Sequence, residues 1–348
     1  MDKKTRIAIN GFGRIGRAFY KLARTRPEFE IVAINDLGDP ANMAYLLKYD
    51  TAYGKADFDI IVVAAEGENA AGFIDGEHKV ILVQEKDATK LPWAKYDIDI
   101  VVESTGFFTT YEKAQLHLTA GAKRVVITAP VKGEPVEGVM GAMVLMGINH
   151  DKLATSKISS NASCTTNASG PLIQILHEKI GVEKALLNTT HAMTGTQRVV
   201  DSPGGKDLRG GRAASQNMVP ASTGAAVAVG EVIGDIKGKF DGISIRVPVI
   251  AGSIADITFI AKRNTSVEEV NQVLRDAAED PRWAGVFTVT EEPLVSSDII
   301  GSLHGAIADL ELTRVVDGNL VKVMSWYDNE MGYTNTLVMH VAEVAKFV

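Results

Sequence analysis

Cysteine is almost absent from this sequence: Cys164 is the single cysteine among 348 residues. A lone cysteine forms no internal disulfide, which excludes a fold cross-linked for an oxidising compartment. Long apolar runs are also missing, since none approaches the ~18 residues of a membrane span. Residues 1–11 carry no apolar signal segment. We therefore expect a cytoplasmic protein that does not enter a membrane.

Aromatic side chains and positive charge are also scarce. Phe, Trp and Tyr make up 6% of the chain, and 36 Lys and Arg stand against 43 Asp and Glu, for a net charge of −7. Nucleic-acid partners require basic surfaces and stacking aromatics, so DNA and RNA are not expected as main partners. Cysteine and histidine lack the spacing of a metal site, and no metal is expected.

Glycine is abundant, with 32 residues, and the chain is long enough for two domains. Strand-like runs, such as 97–106, alternate with helical patterns over residues 1–150, which is typical of βαβ units and a largely parallel sheet. Beyond Cys164, longer strand-like runs, such as 306–314, have fewer helices between them. The pattern predicts an α/β protein with an α+β second domain and a mixed, mainly antiparallel sheet.

The hexapeptide 11-GFGRIG-16 follows the apolar run 5–10 and opens a predicted helix. Its glycines allow a tight turn and a close approach of backbone to a pyrophosphate, while the helix N-terminus supplies N–H donors. Asp36 ends the second predicted strand, about 20 residues further on, where a carboxylate binds the adenosine ribose and disfavours the 2′-phosphate of NADP. An NAD site is predicted at Gly11, Gly13, Gly16 and Asp36. The alternative is a glycine-rich turn without a ligand.

Cys164 lies in the polar segment 159-SSNASCTTNASG-170, at the start of a predicted helix. Two interpretations compete: a small buried residue, as most lone cysteines are, or a nucleophile. Ser and Asn are typical of helix starts, and the N–H groups there are expected to lower the pKa of the thiol. The position favours the nucleophile.

His191 and Arg246 are candidates for the remaining chemistry. His191 ends an apolar strand and precedes a polar turn, which suits a general base, although a structural role is the commoner one for an isolated histidine. Arg246 lies inside the apolar strand 243–249, where a guanidinium must meet an anion or a carboxylate because leaving it unpaired is costly.

Six segments together resemble the phosphorylating glyceraldehyde-3-phosphate dehydrogenases, in the same order and over the whole length. The segments are INGFGRIGR at 9–17, SNASCTTN at 160–167, HAMTGTQ at 191–197, ASTGAA at 221–226, RVPV at 246–249 and WYDNEMGYTN at 326–335. The octet around the cysteine is highly specific to this superfamily. The resemblance implies that Cys164 is the nucleophile and His191 the base that activates it.

The resemblance also implies where ligands bind. Contacts to NAD would come from Arg14 and Ile15 under the pyrophosphate, Asp36 on the adenosine ribose, Lys86 near the adenine, and Thr128 and Asn329 near the nicotinamide. The phosphate of the substrate would be held by Thr194 and Arg246. The attacking inorganic phosphate would be held by Ser163, Thr165, Thr223 and Gly224.

The implied reaction is the oxidative phosphorylation of D-glyceraldehyde 3-phosphate to 1,3-bisphosphoglycerate, in glycolysis and gluconeogenesis. It uses NAD⁺ and inorganic phosphate and passes through a cysteine hemithioacetal and a thioester. By the same resemblance, a Rossmann-type NAD-binding domain spans 1–163 and 329–348, and a catalytic domain spans 164–328, with the C-terminal helix returning to the NAD domain. A homotetramer is implied, in which the loop at about 195–217 reaches an adjacent subunit.

Departures from the family pattern are few. Gly210 stands where many bacterial members have an arginine near the inorganic-phosphate site, Met331 replaces a commoner tryptophan, and Tyr53 stands where many members have histidine. Two other functions stay open. Erythrose-4-phosphate dehydrogenase shares the fold and the cysteine, although Thr194 favours the glyceraldehyde-3-phosphate enzyme. A non-catalytic NAD-binding scaffold is the alternative of another class.

Overall fold

The computed structural model describes residues 3–66, 70–204 and 207–348. These residues form two compact units. Unit 1 contains the described residues of 1–144, 150–162 and 337–348, and unit 2 contains those of 145–149 and 163–336. The domain limits inferred from the sequence, 1–163 with 329–348 and 164–328, stay a prediction.

Unit 1 is built on a sheet of nine strands, beside which β3 and β4 form a separate pair. The strands of unit 1 are β1 (Thr5–Asn10), β2 (Phe29–Asn35), β3 (Tyr49–Asp50), β4 (Gly54–Lys55), β5 (Ile60–Val63), β6 (Gly72–Asp75), β7 (His78–Val83), β8 (Ile100–Glu103), β9 (Arg124–Ile127), β10 (Gly141–Met143) and β11 (Ile158–Ser160). Its helices are α1 (Arg14–Ala23), α2 (Pro40–Lys48) and α3 (Tyr111–Thr119).

The nine strands follow the order β10-β11-β9-β8-β1-β2-β7-β6-β5. All neighbours from β10 to β7 run parallel, and β6 and β5 are added antiparallel. The chain order reverses between β1 and β8, and doubly wound sheets bind ligands beyond the carboxyl ends of their strands at such a switch point. The predicted Rossmann-type sheet is confirmed.

One predicted strand of this sheet is shorter than expected. The run 97–106 forms β8 only over four residues, 100–103. Asp97 has φ 45° and Gly106 has φ 75°, so both lie outside the β region and the strand cannot extend through them. The short strands β6, β10 and β11 were not predicted, because three or four residues carry little periodicity.

Unit 2 is built on an eight-stranded mixed sheet. Its strands are β12 (Val182–His191), β13 (Val219–Ser222), β14 (Phe240–Arg246), β15 (Ser253–Ala261), β16 (Phe287–Thr290), β17 (Ala306–Asp309), β18 (Arg314–Val316) and β19 (Leu320–Tyr327). The helices that follow α3 along the chain are α4 (Cys164–Lys179), α5 (Ala225–Val232), α6 (Val267–Ala278) and α7 (Met331–Ala345). From residue 337 onward α7 belongs to unit 1, as expected of a C-terminal helix that returns there.

The sheet of unit 2 runs β13-β14-β12-β15-β19-β17-β16, with β18 on β19. Only the pairs β12–β14 and β16–β17 are parallel, which confirms the prediction of a mixed, mainly antiparallel sheet. The run 306–314 is not one strand, as predicted, but is interrupted by a 3-10 turn at Leu310–Leu312 between β17 and β18. Asp309 caps this turn by accepting a hydrogen bond from the N–H of Glu311 at 3.2 Å.

The strand β12 and the helix α4 bring the candidate residues of unit 2 together. Alternate residues of β12 are buried and end in His191, while Leu186 on the other face is 67% exposed. The helix α4 packs against this sheet with Leu172 and Leu176 fully buried. Its start is set by Ser163, whose Oγ accepts a hydrogen bond from the N–H of Thr166 at 3.1 Å.

Candidate active site and dinucleotide cleft

A cleft of about 420 Å³ lies beyond the carboxyl ends of β1, β2 and β8 in unit 1. Its walls include Gly11, Gly13, Asp36, Lys86, Ser104 and Thr105. Four of these were predicted cofactor residues, and they come from three segments that are separate in the chain. The cleft lies at the switch point of the sheet, where a dinucleotide is expected.

The three glycines of the motif play different roles. Gly11 has φ 94°, and a Cβ there would lie 2.7 Å from the backbone nitrogen of Thr105. A Cβ on Gly16 would lie 2.1 Å from the carbonyl oxygen of Gly11. Gly13 has nothing within 4 Å of its Cβ position and caps α1 without a side chain. The fold therefore requires Gly11 and Gly16, whereas Gly13 leaves space beside the start of a helix, where a phosphate binds.

Asp36 is held by two backbone N–H groups. Its Oδ2 accepts a hydrogen bond from Phe12 at 2.6 Å, and its Oδ1 accepts one from Gly38 at 2.8 Å. The carboxylate is thus oriented by the turn after β1 and by the turn that follows Asp36 after β2. Arg14, which was expected under a pyrophosphate, directs its guanidinium to the carboxylate of Asp50 at 2.6 Å.

A buried polar network that was not predicted from the sequence lies at the base of this cleft. Glu103 is 2% exposed and accepts hydrogen bonds from Asn10 Nδ2 at 2.5 Å and from the backbone N–H and hydroxyl of Thr105 at 2.8 and 2.5 Å. His117 Nε2 lies 3.0 Å from Glu103, and Trp93 donates to His117 Nδ1 at 3.1 Å. The imidazole therefore carries its proton on Nε2. A Glu-Ser-Thr sequence directly after an apolar strand was the available signal.

In unit 2, the cysteine and the predicted base lie in contact. Cys164 is the first residue of α4, and His191 is the last residue of β12. Cys164 Sγ lies 3.4 Å from His191 Nε2. Cys164 as a whole residue is half-buried, and His191 is 3% exposed. A thiol within hydrogen-bonding distance of an imidazole is the arrangement of an activated sulfur nucleophile.

Two further side chains complete the surroundings of His191. Arg246, its partner in the parallel β12–β14 register, places Nη1 2.5 Å from His191 Nδ1. The same Nδ1 lies 2.7 Å from the carbonyl oxygen of Ala192. The ring of Tyr327 meets the imidazole edge-on at 5.9 Å, and its hydroxyl bonds to the hydroxyls of Thr165 and Thr189 at 2.9 and 2.8 Å. Tyr327 belongs to the WYDNE segment but was not among the predicted site residues.

Burial dominates the electrostatics of the pair. Burial, and then the charge of Arg246, lower the pKa of His191 to about 4, against the hydrogen bond with Ala192. Burial also raises the pKa of the Cys164 thiol, although Arg246 and hydrogen bonding by Thr165 act in the opposite direction. The expected lowering of the thiol pKa is therefore wrong for this site, because desolvation outweighs the start of the helix. A neutral thiol faces a neutral imidazole near pH 7.

Arg246 has no carboxylate within ion-pairing distance among the described residues. Its guanidinium contacts His191 and, at 3.4 Å, the carbonyl oxygen of Ala192. The segment after β12 runs beside the segment after β14, because the N–H of Met193 donates to the carbonyl of Val249 at 3.0 Å. Thr194, the other candidate for the substrate phosphate, follows directly. A half-buried arginine without a carboxylate is typical of an anion site.

The four candidates for inorganic phosphate lie at two helix starts. Ser163 Oγ caps α4, and the hydroxyl of Thr165 bonds to Tyr327, so both hydroxyls have partners within the protein. Thr223 Oγ1 accepts a hydrogen bond from the N–H of Ala225 at 3.2 Å. Gly224 caps α5 without a side chain.

The two residues expected near the nicotinamide belong to different units. Thr128 follows β9 in unit 1 and donates its N–H to the carbonyl of Glu103 at 2.9 Å. Asn329 belongs to unit 2, where its Oδ1 accepts a hydrogen bond from Ser253 at 3.0 Å. Gly210 lies in a loop where its Cβ position is 2.7 Å from Asp207 Oδ2.

Among the described residues, no group of three or more His, Cys, Asp and Glu side chains is arranged to hold a metal ion. None of the helices in the described part of the chain is long and apolar enough to cross a membrane.

The doubly wound sheet, the glycine turn after β1 and the acidic residue after β2 define a dinucleotide-binding protein of the Rossmann class. The chain belongs to the glyceraldehyde 3-phosphate dehydrogenase family. The family model for the NAD binding domain of glyceraldehyde 3-phosphate dehydrogenase matches residues 5–111, and the model for its C-terminal domain matches residues 163–329. NAD is therefore the cofactor.

Relatives of the same name are similar over almost their whole length. The chain is 46% identical to the glyceraldehyde-3-phosphate dehydrogenase of Zymomonas mobilis and 45% identical to that of Mycolicibacterium smegmatis, with 98% of both chains covered in each case. It is 42% identical to the enzyme of Geobacillus stearothermophilus, again over 98% of both chains.

Proposed function

We propose that this protein catalyses the NAD-dependent oxidative phosphorylation of D-glyceraldehyde 3-phosphate to 1,3-bisphosphoglycerate. The observation that carries the proposal is the distance of 3.4 Å between Cys164 Sγ and His191 Nε2 at the start of α4. Arg246, which has no carboxylate partner among the described residues, adds a cation for a phosphorylated substrate. The family and the names of the relatives support the same reaction.

The cleft of unit 1 fits NAD. The space beside Gly13 admits a pyrophosphate at the start of α1, where we assign the main chain of Arg14 and Ile15 to it. Asp36 would accept hydrogen bonds from the hydroxyls of the adenosine ribose, and Lys86 would lie near the adenine. Thr128 and Asn329 are proposed for the nicotinamide. When bound, NAD⁺ supplies the hydride acceptor.

In the first half-reaction, Cys164 sulfur forms a bond to the aldehyde carbon while the carbonyl π bond opens. The thiol proton passes through His191 Nε2 to the carbonyl oxygen, which gives a hemithioacetal. His191 Nε2 accepts the proton of the new hydroxyl as the hydride leaves the carbon, and a thioester results. The N–H groups at the start of α4 stabilise the negative charge that develops on oxygen.

In the second half-reaction, inorganic phosphate attacks the thioester carbon and the thiolate of Cys164 leaves, which gives an acyl phosphate. The substrate phosphate is assigned to Thr194 and Arg246. The attacking phosphate is assigned to the two helix starts, at Ser163 with Thr165 and at Thr223 with Gly224. Since the hydroxyls of Ser163 and Thr165 have protein partners, we assign the main-chain N–H groups of α4 to this contact.

The direct test is NADH formation from D-glyceraldehyde 3-phosphate with and without inorganic phosphate or arsenate. We expect sustained turnover only when one of these oxyanions is present, because the thioester otherwise accumulates. D-erythrose 4-phosphate in a parallel assay separates the alternative substrate, for which we expect a lower kcat/KM. Turnover with neither aldehyde would favour the non-catalytic scaffold.

We also propose a homotetramer that acts in the cytoplasm, where a lone reactive thiol stays reduced. The outer face of β12 and β14 exposes Leu186 and Ile243, which are 67% and 55% exposed, and the segment 195–217 exposes Val199 and Leu208 at 79% and 81%. Residues 205 and 206 of this segment lie outside the described residues. Exposed apolar side chains on a regular strand face suit a second copy of the chain. Light scattering should give a molar mass four times the 37.3 kDa of one chain. A monomer would contradict the proposal.

Asp36 is expected to select NAD over NADP. Replacing Asp36 with Ser or Asn removes the charge that would face a 2′-phosphate, so the NADP/NAD ratio of kcat/KM should rise about 10-fold. Asn keeps one acceptor for the N–H groups of Phe12 and Gly38, and Asp36→Glu keeps the charge as a matched control that should retain the NAD preference. An unchanged ratio in both neutral variants would show that this carboxylate does not discriminate.

Gly13 and Gly16 form a matched pair of substitutions. Gly16→Ala should lower the free energy of unfolding by about 3 kcal/mol, because its Cβ would lie 2.1 Å from a backbone oxygen. Gly13→Ala should leave stability nearly unchanged and weaken NAD binding instead, because its Cβ would enter the space assigned to the pyrophosphate. Denaturant titration and NAD titration measure the two effects. Full NAD affinity in Gly13→Ala would contradict the assignment.

A further inference from the structure

A chain of hydrogen bonds between buried side chains crosses the floor of the dinucleotide cleft in unit 1. It joins the last residues of three neighbouring strands, which are Asn35 of β2, Asn10 of β1 and Glu103 of β8. Asn35 Nδ2 donates to Asn10 Oδ1 at 2.7 Å, and Asn10 Nδ2 donates to Glu103 Oε2 at 2.5 Å. His117 Nε2 lies 3.0 Å from the same Oε2 on the other side.

The backbone of Glu85 fixes the direction of this chain at one end. Its N–H donates to Asn35 Oδ1 at 2.9 Å, and its carbonyl accepts from Asn35 Nδ2 at 2.9 Å. The amide of Asn35 therefore has one possible orientation and presents an N–H to Asn10. Asn10 must answer with its oxygen, so its own NH₂ group points to Glu103.

Groups that can only donate fix the direction on the other sides of Glu103. The indole N–H of Trp93 donates to His117 Nδ1 at 3.1 Å, so the proton of His117 lies on Nε2 and points to Glu103. The backbone N–H of Thr105 donates to Glu103 Oε1 at 2.8 Å. Glu103 is thus met by donors from every described neighbour in the network.

Only an ionised carboxylate suits this position, because it offers acceptors and no donor. A glutamine has almost the same shape, but one of its two ends is an NH₂ group. Turned one way, that group faces the donors of Asn10 and His117, and turned the other way it faces the N–H of Thr105. Either orientation leaves at least one buried donor without a partner, which is costly.

The residues that Glu103 orients are walls of the cleft. The walls include Asn10, Asn35, Glu85, Lys86 and Thr105. Glu103 is 2% exposed and acts on the cleft through these neighbours. In one direction the chain of bonds reaches the segment of Glu85 and Lys86. In the other it holds the turn after β8, where the nitrogen of Thr105 lies 2.7 Å from the Cβ position of Gly11.

We propose that Glu103 is a positioning residue for NAD. Its negative charge sets the direction of the hydrogen bonds across the cleft floor and so holds two walls, the segment 85–86 and the turn after β8, in the arrangement that binds the dinucleotide. The inference rests on NAD as the cofactor and not on the reaction at Cys164. A binding measurement therefore tests it independently of the proposed function.

The test is titration of NADH fluorescence with full-length variants. Glu103→Gln should raise the Kd for NADH about 10-fold, because a buried donor beside the cleft loses its acceptor. The double variant Asn10→Asp with Glu103→Gln moves the carboxylate one step along the chain. At position 10 it can accept from Asn35, from the new amide at position 103 and from His117 Nε2, which lies 3.5 Å from Asn10 Nδ2. Its Kd should return to within about threefold of wild type.

Two controls separate positioning from a loss of stability. Asn10→Asp alone sets two carboxylates against each other and should bind NADH more weakly than the double variant. Tyr20→Phe removes a buried hydrogen bond of 2.8 Å to Asp75, which keeps its bonds to Arg24. Tyr20 and Asp75 belong to unit 1 and are not walls of the cleft. Tyr20→Phe should therefore lower the thermal unfolding temperature and leave the Kd unchanged.

Each other outcome overturns the proposal. An unchanged Kd in Glu103→Gln shows that the charge is not needed. A double variant that binds as weakly as Glu103→Gln shows that hydrogen-bond direction is not what Glu103 supplies. An equal loss of affinity in Tyr20→Phe assigns the effect to stability. If Glu103→Gln does not fold, the double variant decides: NADH affinity near wild type supports the proposal, and failure of the double variant to fold overturns it.

Discussion

Cys164→Ser is expected to abolish NADH formation while NAD still binds. A serine hydroxyl is a far weaker acid than a thiol, and the imidazole beside it has a pKa lowered to about 4, so His191 cannot deprotonate it. The loss in kcat should be about 10⁴-fold or more. NADH absorbance at saturating substrate measures turnover, and quenching of protein fluorescence by NAD measures binding.

Two comparisons make the Cys164 result interpretable. Cys164→Ala removes every nucleophilic atom and sets the residual rate, and thermal unfolding shows whether each variant keeps its fold. The NAD cleft lies in unit 1 and Cys164 in unit 2, so retained NAD affinity with lost turnover is the expected pattern. A rate for Cys164→Ser within tenfold of wild type would refute the assignment of Cys164 as nucleophile.

His191→Asn is expected to lower kcat by about 10²- to 10⁴-fold with little change in KM for the aldehyde. Asparagine cannot accept the proton of the thiol or of the hemithioacetal hydroxyl. Burial raises the pKa of the Cys164 thiol, and the substitution removes the base that accepts the thiol proton, so alkylation of Cys164 by iodoacetamide should require higher pH than in wild type. The midpoint of the alkylation profile should therefore move up.

The matched control is His177→Asn, at the opposite end of α4 from Cys164. His177 accepts a hydrogen bond from the N–H of Val182 at 3.1 Å and does not contact the thiol, so its replacement should leave kcat and the alkylation midpoint near wild type. Equal losses in both histidine variants would indicate a general effect on the fold, and His191 would then have no special role.

The strand–helix alternation and the glycine motif of unit 1 could be predicted because their signals are local. The glycine motif consists of a six-residue apolar strand, a turn and a helix start that are adjacent in the chain. Asp36 follows about 20 residues later, at the end of the next strand. Ser163 likewise identified the start of α4. By contrast, the break of the run 306–314 depends on the 3-10 turn at Leu310–Leu312, for which the apolar pattern contains no signal.

Several features of the site were missed for a common reason. The network around Glu103 combines β1, β8, α3 and a residue before β8, and Tyr327 reaches the site from β19. Arg14 was correctly placed at the start of α1, but its guanidinium pairs with Asp50, which lies in another element. Such contacts join residues that are far apart in the chain, and a single sequence contains no record of which residues meet.

Cys164 and His191 show what the sequence determined by itself and what only the tertiary structure decided. Cys164 was selected by its place at a helix start, and Arg246 by its place inside an apolar strand. His191 was assigned as the base through the family resemblance, because an isolated histidine at a strand end more often has a structural role. The acidity of the thiol could not be predicted from those neighbourhoods, and the expectation had the wrong sign. The pKa values depend on desolvation and on the charge of Arg246, and both arise only when β12, β14 and α4 are packed together.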